Sequence, residues 1–275
     1  MNDPLRLTDG RMLAWASHGP PGARPVLFVA GAATGRSMIF GDDALDRLGI
    51  RLITVDRPGL GGSTPDPART LASTAADLHA LVDVVVGSPV PVVANSQGAP
   101  FALALAALGG ASRLLLVSPA DEVAVEPVLG MLDDGMRGVV GQVAADPDGA
   151  RAFLAGLGAD GMESMVLSGA DDADRAVYAE PPFLARYRAA LAEGFANDGA
   201  GYATDTVLAM SPWGLDLSAI PCPVEVWMGE RDRGHSPDRG VTLAARLGAR
   251  HVLVEGAGGA LLWTHAEAVL AAAVG

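Results

Sequence analysis

Residues 91 to 106 pack a strand, a sharp turn and a helix into sixteen positions, with one serine at the turn. Pro91-Val92-Val93-Ala94 reads as a buried strand, Asn95-Ser96-Gln97-Gly98 as the turn, and Ala99-Pro100-Phe101-Ala102-Leu103-Ala104-Leu105-Ala106 as a helix. The spacing is that of G-x-S-x-G, with Ala94 in place of the first glycine. A serine so held has its Oγ at the top of a sheet and the N–H of Gln97 beside it. Two requirements of acyl transfer, a nucleophile and an oxyanion donor, would then share one pentapeptide.

The rest of the chain supplies a matching frame. Residues 11–17, 25–30 and 50–55 read as strands, and residues 70–86 as an amphipathic helix with Leu71, Leu78, Leu81, Val82 and Val85 on one face. Strand 91–94, helix 97–108 and strand 113–117 follow. Alternation stops between about 121 and 212, a Gly-, Ala- and Asp-rich stretch broken at Asp146-Pro147 and Pro181-Pro182. It resumes with strand 224–228, helix 237–247, strand 251–254 and a last helix expected to begin at Thr264, which has capping-box spacing to Glu267. Such alternation implies right-handed βαβ units, hence an α/β fold with a mostly parallel twisted sheet flanked by helices. The expected division is a core of residues 1–121 and 213–275, and a helical cap of residues 122–212.

Composition narrows the chemistry. The chain has 275 residues, a formal charge of −13, and half of its residues hydrophobic, which excludes a disordered chain and argues against nucleic acid and anionic membranes as partners. All 19 basic residues are arginine. Without lysine, Schiff-base, pyridoxal-phosphate and P-loop chemistry are excluded, and no cofactor is expected. The single cysteine, Cys222, cannot form an internal disulfide. With no secretory leader pattern and no long apolar run, a cytoplasmic location is expected. The carboxylates at 121–122, 133–134 and 171–174 lack the spacing of a metal site and read as solvated charge. Asp56 reads as a turn-fixing carboxylate.

Three motifs in this order, the Ser96 elbow, the loop Asp56-Arg57-Pro58-Gly59-x-Gly61-x-Ser63, and the strand ending Gly229-Glu230-Arg231-Asp232, resemble the α/β-hydrolase superfamily over nearly the whole chain. The segments Glu193-Gly194-Phe195, Gly201-Tyr202 and Pro212-Trp213-Gly214 resemble the cap exit of small actinobacterial members. The resemblance implies an α/β-hydrolase fold with an inserted helical cap, Ser96 as nucleophile and Asp232 as the acid that orients a histidine. It also implies an oxyanion hole from the backbone N–H groups of Gln97 and Ala32. The His-Gly that usually opens the oxyanion turn is Ala30-Gly31 here, which backbone donors tolerate.

The catalytic histidine is the departure. The loop after the last strand reads Gly256-Ala257-Gly258-Gly259-Ala260, with Gly259 at the histidine position. Removing the histidine of a serine hydrolase can cost about 10⁶ in turnover, so an efficient enzyme must take its base from elsewhere. Ligands bind outside the carboxyl ends of parallel strands, which sorts the five histidines. His18 and His251 fall at the wrong end, and His79 lies on an outer helix. His265 lies on the correct side, about six residues past the vacant position. His235, three residues beyond Asp232, is the surviving candidate, either as base or as a pocket-lining histidine before Ser236-Pro237. The aromatics of the insertion divide between cap core and pocket lining.

The expected function is a cofactor-independent serine hydrolase acting on a small or medium apolar ester, thioester or lactone. The alternative is a hydrolase-fold protein without classical hydrolysis, binding a ligand or catalysing a non-hydrolytic step, or a chain whose triad has been disabled at Gly259. Oligomeric state is left open.

Overall fold

Strands whose two faces are both apolar must be covered on both sides, and the central runs of this chain are of that kind. Val92, Val93, Ala94 and Leu114 to Val117 have no exposed surface. In the computed structural model, which describes residues 3–275, they are the middle of a seven-stranded sheet. The strands are β1 (Leu5–Arg6), β2 (Met12–Leu13), β3 (Trp15–His18), β4 (Arg24–Val29), β5 (Ile50–Val55), β6 (Val90–Ser96), β7 (Ala111–Pro119), β8 (Val224–Gly229) and β9 (Arg250–Val254). β1 and β2 form a separate small ribbon, and the sheet runs β3-β5-β4-β6-β7-β8-β9. The ribbon is antiparallel, and within the seven-stranded sheet β3 alone runs antiparallel to its neighbour.

Side-chain alternation divides the core. Val92, Ala94, Leu114 and Leu116 face one layer, and Val93, Leu115 and Val117 the other. On the first side pack α2 (Leu71–Val85), α3 (Ala99–Ala107) and α11 (Val241–Leu247). On the second pack α1 (Asp42–Leu48), α12 (Leu261–Thr264) and α13 (Ala266–Val274). Residues Ala99 to Ala106 of α3 are buried on every side, as expected of a helix apolar all round.

Between β7 and β8 the chain is helical: α4 (Val128–Met131), α5 (Asp134–Ala145), α6 (Pro147–Ala155), α7 (Gly158–Gly169), α8 (Asp172–Ala179), α9 (Pro181–Gly194) and α10 (Ala200–Ala209). Met162, Tyr187, Ala190, Leu191 and Tyr202 from this insertion pack on Ala33, Met38 and Leu60, which lie in loops leaving the carboxyl ends of β4 and β5. The insertion therefore covers the end of the sheet where ligands bind.

Two local expectations fail. The helix expected over 237–247 begins only at Val241, because Arg239 and Gly240 take left-handed backbone (φ 58° and 74°). The capping box at Thr264 does not form. Thr264 ends α12 with its hydroxyl on the Ala260 and Leu261 carbonyls, while Glu267 pairs with Arg47 at 2.8 Å.

One ionic cluster ties the insertion to the core. Asp205 of α10 accepts from Arg57 Nε at 2.7 Å and Arg69 Nη2 at 2.6 Å, and all three residues are buried. Removing the shared carboxylate would strand two guanidinium groups away from water. Asp205→Asn is expected to lower unfolding free energy by about 3–5 kcal/mol, measured by urea titration. A loss under 1 kcal/mol would contradict it.

Candidate active site

Ser96 closes β6 with φ 50°, a left-handed conformation uncommon for a residue other than glycine. Gly98 follows two residues later because nothing larger fits there. A β-carbon at Gly98 would stand 2.3 Å from the Val29 carbonyl oxygen and 2.7 Å from that of Ala30. Asn95 fixes the strand side of the turn, its Nδ2 donating to Val117 O at 3.0 Å. In register, Ser96 faces Pro119 of β7 across a bulge that leaves Ser118 at φ 43°. The Ser118 hydroxyl is fully buried.

The turn after β4 rests directly on this elbow. A β-carbon at Gly31 would be 3.2 Å from Ser96 Cβ. Among the described residues, neither the Gln97 N–H nor the Ala32 N–H is taken by a protein acceptor. Arg57 holds the opposite edge of the turn, donating to Ala30 O at 2.7 Å and Gly31 O at 3.0 Å, with its guanidinium over the Phe101 ring. These bonds tie both carbonyls of the turn to one buried guanidinium. Neighbouring Asp56 fixes the adjoining loops, accepting from Arg36 N and Gly62 N. The side chain of Gln97 is buried, and its Nε2 donates to Thr206 Oγ1 at 3.0 Å.

Asp232 and His235 meet in the loop leaving β8. The His235 Nδ1 lies 3.0 and 2.9 Å from Asp232 Oδ1 and Oδ2, and Oδ1 also accepts from the Gly234 and His235 N–H groups. Asp232 is 3% exposed, and the His235 side chain keeps about a quarter of its surface. Burial raises the Asp232 carboxyl, but the His235 hydrogen bond and charge outweigh it and hold the group below the usual carboxylate range. Burial likewise lowers His235, while the Asp232 hydrogen bond and charge and the Asp174 charge bring it above the ordinary imidazole value.

Gly259 lies against this ring. A β-carbon built there would stand 3.2 Å from His235 Cε1 and 3.4 Å from Nδ1. The imidazole from the β8 loop thus borders the space that a side chain at 259 would enter. No hydrogen bond joins Ser96 Oγ to the His235 ring among the described residues.

The other histidines have partners elsewhere. His18 bonds Thr54, His79 pairs with Asp83, His251 bonds Arg239 O, and His265 bonds Thr264. Asp174 of α8 is a surprise. Read from sequence as solvated charge, it is buried, and its carboxylate accepts from Gly259 N at 2.7 Å and Ala260 N at 3.0 Å. Asp121 is buried too, accepting from Ser236 Oγ at 2.8 Å. Two cavities of about 360 and 470 Å³ are lined by residues other than Ser96 and His235.

Crowding at Gly259 gives a direct test. Gly259→His should destabilise the chain by about 1–3 kcal/mol through overpacking against His235. In a His235→Ala background the same change should cost much less. Denaturant unfolding of the four variants reads this coupling, and strictly additive costs would contradict the shared space.

The likeness to known proteins is broad and remote. The model of the Alpha/beta hydrolase family matches residues 26–273. A search of curated protein sequences finds no match. Among solved structures, the enol-lactonase of Burkholderia xenovorans LB400 is 22% identical, with 97% of this chain and 96% of that one covered and a TM-score of 0.68. The esterase EaEST from Exiguobacterium antarcticum is 16% identical, with both chains covered in full and a TM-score of 0.72. A bromoperoxidase from Bacillus anthracis is 20% identical over 96% and 95% of the two chains, with a TM-score of 0.69. At these identities the structures establish the fold, and the family match over most of the length establishes membership: the chain belongs to the Alpha/beta hydrolase family.

Proposed function

We propose that this chain is a cofactor-independent serine hydrolase of small or medium apolar esters, thioesters or lactones, in which His235 stands in for the histidine missing at Gly259. The observation that carries the reading is the His235 ring, bonded through Nδ1 to Asp232 and lying against Gly259. With Nδ1 committed to the carboxylate, Nε2 is the nitrogen left to take a proton.

In this mechanism His235 Nε2 removes the Ser96 hydroxyl proton as Oγ attacks the substrate carbonyl. The resulting oxyanion is held by the Gln97 and Ala32 N–H groups. The imidazolium, stabilised by Asp232, returns the proton to the leaving alkoxide or thiolate, giving an acyl-Ser96 ester. Water then attacks the acyl carbonyl with His235 again as base, releasing the acid and restoring Ser96. Catalytic hydrogen bonds are often long without substrate, so the lack of a Ser96–His235 hydrogen bond among the described residues is compatible with this scheme.

Residues 122–212 act as the cap in this reading. Tyr178, Phe183, Tyr187 and Trp263 pack edge to face around the cluster that includes Ala32, which favours an apolar acyl or alcohol group. Among the described residues no helix is long and apolar enough to cross a membrane, and we propose a cytoplasmic enzyme. The unbonded Ser96–His235 pair is the one observation that favours the rival reading, a hydrolase-fold protein without an acyl-enzyme.

A fluorophosphonate probe should label the wild type at Ser96, seen by mass spectrometry, and fail on Ser96→Ala. His235→Ala should lower kcat toward p-nitrophenyl esters by several orders of magnitude in a variant that still unfolds cooperatively, and Gly259→His in that background should restore part of it. Labelling absent from the wild type, or kcat untouched by His235→Ala, would refute the assignment. The base must be neutral to act, and its folded pKa lies above the ordinary value. The rate should therefore fall as pH drops through a midpoint above about 6.5. A midpoint well below that value would contradict the Asp232–His235 pairing.

A further inference from the structure

The carboxylate of Asp174 enters the site from the insertion, and the mechanism above does not use it. It sits in the first turn of α8, whose start is also tied down by Asp171, 3.4 Å from Arg231 Nε. Both Asp174 oxygens are spent on backbone N–H groups of the loop after β9, at Gly259 and Ala260. That loop admits the carboxylate because it lacks side chains. A β-carbon at Gly258 would lie 2.5 Å from each Asp174 oxygen. At Gly259 a β-carbon would have His235 Cε1 at 3.2 Å and Asp174 Oδ2 at 3.5 Å, so ring and carboxylate both border the space of one carbon.

The glycine pair therefore accommodates two groups at once, an imidazole from the β8 loop and a carboxylate from the insertion. We propose that Asp174 is a positioning residue of the site: it locks the Gly258–Ala260 loop and lays a second negative charge beside His235. This rests on the hydrolase reading for its catalytic consequence, although the contact itself does not.

The charge has little local competition. Charged groups facing the ring are Asp232 from its own loop and Asp174 from α8. Arg231 pairs with Asp171, and Asp121 and Asp238 lie against Ser236 Oγ, at 2.8 and 3.1 Å. Arg233 and Glu230 are exposed, with Glu230 accepting from Gly256 N. Opposite charge at such range favours the protonated ring. Asp174 thus helps stabilise the imidazolium formed when Ser96 is deprotonated, and it does so only while the insertion is docked.

The test titrates the His235 ring by NMR in the intact protein, wild type against Asp174→Asn, which keeps the size and one acceptor but removes the charge. The ring should titrate lower by on the order of one pH unit, and the acid limb of kcat/KM should move the same way while plateau kcat falls. Gly258→Ala, which forces the carboxylate out without changing its charge, should lower the ring titration likewise. A ring that titrates unchanged in Asp174→Asn would overturn the proposal, even if that variant were less stable. A lowered titration in a protein without Ser96-dependent turnover would uphold the Asp174 contact and refute the hydrolase reading instead.

Discussion

The contact between Asp232 and His235 is the interaction on which the candidate site depends. A buried carboxylate is costly unless it is bonded, and Asp232 meets that requirement with two backbone N–H groups and the His235 Nδ1. The same bonds fix which ring edge faces outward. Because carboxylate and imidazole are only three residues apart, a single loop after β8 carries a pair that this family usually assembles from two loops. Gly259, in the second loop, contributes room.

The sheet makes such a site possible. Parallel strands β6, β7, β8 and β9 end side by side, so the elbow, the Ser118 bulge, the Asp232 loop and the glycine loop are neighbours although more than 150 residues separate the first from the last. Helices of the insertion then close over that edge and are held by buried charge. Asp205 reaches back to Arg57, which also grips the carbonyls of the turn resting on Ser96. Docking of the insertion and alignment of that turn thus share one guanidinium.

Features set by local pattern could be read from sequence. The strand–turn–helix around Ser96 was one, because apolar runs, a serine at the turn and a glycine needed for close backbone approach all fall within a few residues. The sheet and its insertion were another, since alternation stops and restarts at definite places. What escaped depends on tertiary packing. Asp174 sits in an acidic stretch indistinguishable from solvated charge, and only the fold brings it to Gly259. Arg57 looked like part of a turn motif, whereas its bonds span the core. Thr264 misled because an earlier short helix captured its hydroxyl, and a left-handed pair at Arg239 and Gly240 delayed α11.

The most direct test of the relocated base is a crystal structure of the Ser96 phosphonate adduct, which mimics the tetrahedral intermediate. The account predicts His235 Nε2 within about 2.6–3.2 Å of an adduct oxygen, Nδ1 still on Asp232, and an anionic oxygen against the Gln97 and Ala32 N–H groups. An adduct with the His235 ring turned away, and its oxygens met by another side chain or by solvent alone, would contradict it.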